Sequence, residues 1–368
     1  MKNGYGNALT LTLFGESHGP SVGAVLDGIA PGIPVDEALI RHKLAQRRPQ
    51  GAQSTARHEA DEYIIESGVY RGHTTGTPLC IRIPNTDAHS QDYDALADKP
   101  RPGHCDYPAL CKYHGWEDAR GGGHFSGRVT AAVVAAGAVV TGALARRGIR
   151  IATHLSRCAG VCDRAFDADA LSADMDKLDA ALFPVLDDAA GERMIGAILA
   201  AKADGDSVGG VLETVVTGLP AGLGEPWFDT VEGVLSHGLF SVPAVKGVEF
   251  GDGFALADGR GSRTNDAYRM ADGHVITLSN HCGGVCGGLT DGMPLVFRCA
   301  VKPTPSIGRE QETVDLIRGE NARLTVPGRH DPCVAHRARA VVDAVTALAL
   351  ADLLSVRYGT DWLAGGAE

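Results

Sequence analysis

Apolar and polar side chains alternate from Ala8 to Phe14, with Leu9, Leu11 and Leu13 on one side, which is the period of a half-buried strand. Further strand-like runs fall at 63–65, 79–83, 211–217, 275–278 and 293–302, each punctuated by glycine or proline. A helical pattern covers 35–44. It follows Pro34, carries Asp36 and Glu37 in its first turn and runs out at Arg47, Arg48 and Pro49. Residues 126–147 are rich in Ala and Val and lack proline, predicting a helix packed on most sides, with small residues suited to close helix contact. A third helix is expected over 192–202, stopped near Gly205. A fourth runs from about Pro332, a favoured first-turn proline, to about Tyr358, with Gly359 as its stop. The pattern is that of one α+β domain over residues 1–368. Residues 163–190, acidic and Ala-rich, are the candidate peripheral excursion.

Composition narrows the class. Apolar residues make up 44% and charged residues 21% of the 368, the profile of a soluble globular chain with enough apolar surface for a large core. The most apolar stretch, 130–145, is interrupted by Gly137 and Gly142, short of the ~18 residues expected of a membrane helix. No targeting segment precedes the first motif, so cytoplasm is the expected compartment. Nine scattered cysteines fit free thiols in a reducing compartment. The spacings Cys158/Cys162 and Cys282/Cys286 lack a second close pair, so no metal site is expected. A formal net charge of −11 argues against nucleic acid and anionic membrane as partners. It leaves room for a small basic pocket.

Glycine, at 48 residues, clusters beside polar side chains at 15–19, 121–128, 251–253 and 283–288. Glycine lets backbone approach a ligand and turns N–H groups toward anions. Taken singly, each cluster reads as an ordinary turn; four together, with His, Ser or Arg alongside, point to a large polyanionic ligand. The 121–128 cluster opens directly into the Ala/Val helix. Ser126 and Arg128 therefore sit where free N–H groups and the helix dipole favour phosphate or carboxylate, Ser126 as a plain N-cap being the alternative. Arg329, His330, Asp331 and Pro332 repeat the arrangement before the last helix.

These residues carry a resemblance. Gly15-Glu16-Ser17-His18-Gly19 with 25–32, Arg101-Pro102-Gly103-His104, Gly123 to Arg128 and Arg329 to Arg337 resemble signatures of the chorismate synthase family. Matches at 85–87, 90–93, 218–226, 246–254, 279–281 and 302–304 extend it over nearly the whole chain. The resemblance implies a layered β-α-β sandwich with central helices between antiparallel sheets, usually a homotetramer. It also implies a lyase that removes phosphate from 5-enolpyruvylshikimate-3-phosphate by 1,4-elimination, with reduced FMN as cofactor. An added NADPH-dependent flavin reductase activity is the alternative.

Residue by residue, the resemblance assigns proton handling to His18, at the departing phosphate, and to His104, beside the flavin. Nearby anions are expected to favour their protonated forms. Asp331 matches an aspartate near flavin N5, with Ser17 and Ser126 supporting the relay. Arg47, Arg101, Arg128, Arg329 and Arg337 match groups facing the substrate's carboxylates and phosphate, which guanidinium binds bidentately. Arg101, Arg128, Arg329 and Arg337 should therefore share one positive pocket, and Arg47 also matches a contact to NADP. His124, Phe125, Ser126, Pro243, Ala244, Gly287, Lys302, Pro303, Thr304, Pro305, Ser306 and Arg329 match the flavin-contacting segments. Three departures stand out. His124-Phe125 replaces an Arg-Ser pair. The 49–53 segment is one residue shorter and lacks an arginine, for which Arg48 or Arg57 would compensate. His336, Ala340 and Asp343 change the last signature.

Overall fold

The computed structural model describes residues 2–55, 60–86, 98–326, 328 and 330–365. Arg329, Arg57, Asp87 and the 90–93 match lie outside the described residues.

Two five-stranded antiparallel sheets enclose a layer of helices. In the first, strands run in the order Gly4–Tyr5, Thr10–Gly15, Ser21–Asp27, Leu79–Pro84, Ile64–Ser67. Register follows the alternation: Leu26 sits between Leu11 and Leu79, and Val22, Ala24, Leu26, Ile81 and Ile83 point inward, fully buried. The second sheet runs Val245–Phe250, Leu295–Val301, Gly210–Thr217, Arg150–Cys158, Val161–Cys162. Between the sheets lie the helices Glu37–Arg47, Thr130–Arg146, Val231–Leu239 and Ala335–Tyr358. The architecture is the expected α+β sandwich.

Local chemistry sets the helix starts. Asp36 accepts the N–H groups of Ala38 and Leu39 at 2.9 and 3.1 Å and caps the first helix. The Thr130–Arg146 helix packs on the first sheet and against Ala335–Tyr358. At Gly137 a Cβ would lie 2.8 Å from the Ala344 Cα, so backbones meet there with no room for a side chain. The segment Gly127–Arg146, with mean hydropathy 1.7, is long and apolar enough to cross a membrane, longer than the sequence reading allowed. Since 72% of its window is buried inside the protein, it is the core helix of the sandwich. The last helix starts at Ala335, three residues later than expected, because Asp331 first turns the chain by accepting the Cys333 N–H.

Residues 163–190 are more than an excursion. Their helix Leu171–Ala180 places Met175 and Leu178 with Leu186, Ala152 and Val215 in a second, smaller core on the outer face of the second sheet. Beneath it His154 is held by Asp163 at 2.8 Å and Glu213 at 2.9 Å. Burial alone would lower its pKa, but its hydrogen bonds to the two carboxylates outweigh that, and the net shift is upward.

Candidate active site

One cavity of about 960 Å³ opens between the helix layer and the loops at one end of the first sheet. The loop after Thr10–Gly15 brings Ser17 and His18 to it. Their seat is the glycine cluster: Gly121, Gly122 and Gly123 have φ of 60°, 85° and 51°. A Cβ on Gly121 would lie 2.1 Å from the His18 ring. Only glycine lets that backbone pass under the imidazole. Ser17 Oγ lies 3.2 Å from His18 Nδ1 and 3.2 Å from the Arg120 carbonyl. With one hydrogen to give, the hydroxyl donates to the carbonyl when His18 carries its proton on Nδ1. Asn85 fixes the same loop, donating to the Glu16 and Gly19 carbonyls at 2.9 and 2.8 Å.

His104 lines the opposite wall, its Nδ1 3.2 Å from the Pro102 carbonyl. Burial, with Arg101 alongside, pushes its pKa down. Both effects disfavour the charged imidazole, and an anion beside it would oppose them. Lys302 donates to the Gly103 carbonyl at 2.6 Å and braces the His104 loop.

Among the described residues, those of fixed charge lining the cavity are Lys2, Arg47, Arg101, Arg128, Lys246, Lys302 and Arg337, against one acid, Asp331. Carboxylates on or behind the wall hold several of these cations. Arg101 grips Asp106 through two bonds of 2.8 Å. Burial would raise the Asp106 pKa, but Arg101 outweighs it and holds the carboxyl below the usual range. Arg337 pairs with Asp331. Arg47 and Arg128 both pair with Asp61.

The remaining wall is mixed. Phe125 is half-exposed and meets Tyr113 edge-on, centroids 5.9 Å apart. His124 donates from Nδ1 to the Gly15 carbonyl at 2.8 Å. Ala244 holds a left-handed φ of 75°, a conformation that costs a non-glycine residue of order 1–2 kcal/mol. Ser306 Oγ is 2.8 Å from Nδ1 of His330, whose Nε2 donates to the Val326 carbonyl at 2.8 Å. Two buried polar atoms in this wall, Thr304 Oγ1 and Arg337 Nε, have no hydrogen-bond partner among the described residues.

Of the residues named from sequence, the cavity gathers Ser17, His18, Arg47, Arg101, His104, His124, Phe125, Ser126, Arg128, Pro243, Ala244, Lys302, Thr304, Pro305, Ser306, Asp331 and Arg337. Pro303 and Gly287 do not line it. Gly251, Gly283, Gly284 and Gly288 stand against backbone: a Cβ on Gly251 would lie 2.0 Å from the His281 carbonyl oxygen and 2.5 Å from the Gly283 nitrogen, whereas one on Gly287 would meet open space. Most glycines of these two clusters thus serve the fold. Cys158 approaches Cys333, at 3.9 Å between sulfurs, and no group of three or more metal-ligating side chains occurs among the described residues. Arg48 turns away to the Ala60 carbonyl at 3.1 Å. The shortened segment is held by Lys202, which donates to the Ala52 carbonyl at 2.7 Å. His336 is 2.9 Å from Ser54 Oγ. Asp61 and His330 received no role from sequence reading. His330 was quoted within a motif, whereas Asp61 lies in a stretch with no helical or strand period to mark it.

The chorismate synthase family model matches residues 9–355. The chain is 46% identical to the chorismate synthase of Pyrococcus abyssi, covering 96% of this chain and 97% of that one. It is 45% identical to that of Chitinophaga pinensis, covering 96% of each. The chain belongs to the chorismate synthase family. A crystal structure of a chorismate synthase superposes with a TM-score of 0.76 at 29% identity, covering 96% of this chain and 94% of that one. Chorismate synthases are lyases, so the cavity must let a leaving group depart, and the cations on its wall suit an anionic one.

Proposed function

We propose that this lyase eliminates phosphate from 5-enolpyruvylshikimate-3-phosphate to give chorismate, with reduced FMN bound in the same cavity. The supporting observation is that a single space of about 960 Å³ collects both histidines, Asp331 and seven cations. That volume lies at the upper end of ligand sites and leaves room for two anionic ligands. The flavin fits the residues present: Phe125 and Tyr113 offer an aromatic edge, Lys302 and Lys246 offer charge, and Thr304 Oγ1 and Arg337 Nε are buried donors awaiting an acceptor. When bound, reduced FMN supplies electron density to the ring as phosphate departs.

The protein's own part is position, charge and protons. Arg101, Arg128 and Arg337 hold the substrate's anionic groups, and Arg329 is proposed to join them. His18, seated on the glycine turn with Ser17 at Nδ1, protonates the departing phosphate oxygen. His104 becomes an acid once a polyanion offsets Arg101. Asp331 takes up a proton at its carboxylate, and Ser126 supports it. Lys302, Thr304, Pro305, Ser306, Pro243, Ala244, His124 and Phe125 hold the cofactor, with Pro303 and Gly287 as proposed outer contacts. Arg47, matched to NADP as well as to substrate, is held on the cavity wall by Thr130, Asp61 and the Gly127 carbonyl.

The chain is proposed to act as one domain, since the main core runs from Leu9 to Leu363. A homotetramer is supported by exposed Trp227, Phe228 and Phe254. Nine free cysteines support a reducing, cytoplasmic setting. The test is an oxygen-free mixture of protein, chemically reduced FMN and the ester. Equal release of phosphate and chorismate supports the reading, and none contradicts it. NADPH consumed with oxidised FMN would show an added reductase.

A further inference from the structure

We propose that Asp61 is the positioning residue that holds Arg47 and Arg128 in the geometry the anionic substrate requires. The inference rests on the lyase reading above. The Asp61 side chain is fully buried. Each of its oxygens takes one guanidinium: Oδ2 receives Arg47 at 2.9 Å and Oδ1 receives Arg128.

The two arginines come from different parts of the fold. Arg47 ends the first helix, and Arg128 stands in the short turn Gly127–Val129 before the central helix. Two guanidinium groups this close repel each other, and the carboxylate between them cancels one charge and sets their separation. Their other bonds complete a rigid frame. Arg47 donates to Thr130 Oγ1 at 3.0 Å and to the Gly127 carbonyl at 3.0 Å. Arg128 donates to Asn85 Oδ1 at 3.0 Å and to the Pro84 carbonyl at 3.1 Å. Through Asn85 the frame reaches the Glu16 and Gly19 carbonyls that flank Ser17 and His18. Asp61 thus ties the wall that meets the substrate's anions to the loop that carries a proton donor.

The backbone at Asp61 is left-handed, with φ of 51°. Aspartate tolerates that region better than most residues, but it is seldom held there without surrounding constraint. Here the constraint is the pair of charge-assisted bonds.

Glycine fits a φ of 51° and deletes the carboxylate, so Asp61→Gly is the informative variant, with Asp61→Asn as the near-isosteric companion. Calorimetric binding of 5-enolpyruvylshikimate-3-phosphate is measured without flavin, followed by anaerobic turnover with reduced FMN. Both variants should keep the parent's melting transition within a few degrees. Affinity for the ester should weaken and KM should rise ~10- to 100-fold, while kcat at saturation stays within about threefold. Millimolar formate, which fits the vacated carboxylate place, should restore much of the ester affinity of Asp61→Gly. In the parent, formate competes with the ester and weakens its binding. Unchanged ester affinity in folded variants, or a loss that formate leaves untouched, overturns the proposal. A parent that neither binds the ester nor turns it over defeats the lyase reading instead.

Discussion

Asp331 and Asp352 are both buried aspartates near or on the last helix, and their surroundings set them apart. Asp352 accepts the backbone N–H groups of Asn7, Ala8 and Leu9 at 2.7–3.0 Å, pinning the entry to the first sheet deep in the core. Asp331 faces the cavity, with Arg337 on one oxygen and the Cys333 N–H on the other among the described residues. Burial of a carboxylate therefore says little about its role. Its partners do: backbone amides in the core mark a structural tie, whereas a side-chain cation on a cavity wall marks a group exchangeable with ligand or proton.

The contrast breaks most readily at Asp331. Asparagine has the shape to keep the turn but cannot take a proton, so Asp331→Asn should lower anaerobic turnover ~10²-fold or more while FMN and ester still bind. A loss no larger than weakened binding explains would make Asp331 a cap like Asp352. Next in size, Asp352→Asn places an amide NH₂ against backbone N–H donors. It should cost ~2–3 kcal/mol of stability, read from denaturant midpoints, with kcat unchanged in the folded fraction. A turnover defect without destabilisation would erase the distinction. The smallest effect belongs to His154. Its pKa is raised on folding, so the stability it adds is complete below the ordinary histidine value near 6.5 and is lost as pH rises through the raised value. The gap in unfolding midpoint between parent and His154→Gln should narrow with rising pH, and a gap that widens would show that the cluster favours neutral His154.

Much of this was legible in the chain, for physical reasons. The alternation of Leu9, Leu11 and Leu13 survives because one face of the sheet is buried, and the proline-free Ala/Val-rich run became the central helix because it is enclosed on nearly all sides. The cavity was legible because His18, Ser126 and Asp331 sit in turns whose glycines and charges lie close in sequence. Period and motif failed where distant residues cooperate. Asp61 is defined by Arg47 and Arg128, which only the fold brings to it. Arg150–Cys158, buried on both faces, lacks the clean alternation of an edge strand. The glycines near 251 and 284 resemble ligand loops in composition, yet they serve the contact of one backbone with another. At His104 the sequence shows the neighbouring Arg101 but not the burial, which is the larger cause of its lowered pKa.

The central claim is a redox-neutral elimination carried out in the arginine-lined cavity, and counting products per flavin tests it most directly. Protein, excess 5-enolpyruvylshikimate-3-phosphate and a limiting amount of chemically reduced FMN are mixed without oxygen or NADPH. The account predicts many chorismate molecules and an equal number of phosphates per FMN, with the flavin still reduced at the end. Product that stops at one per flavin, or flavin that is oxidised in step with product, would contradict it.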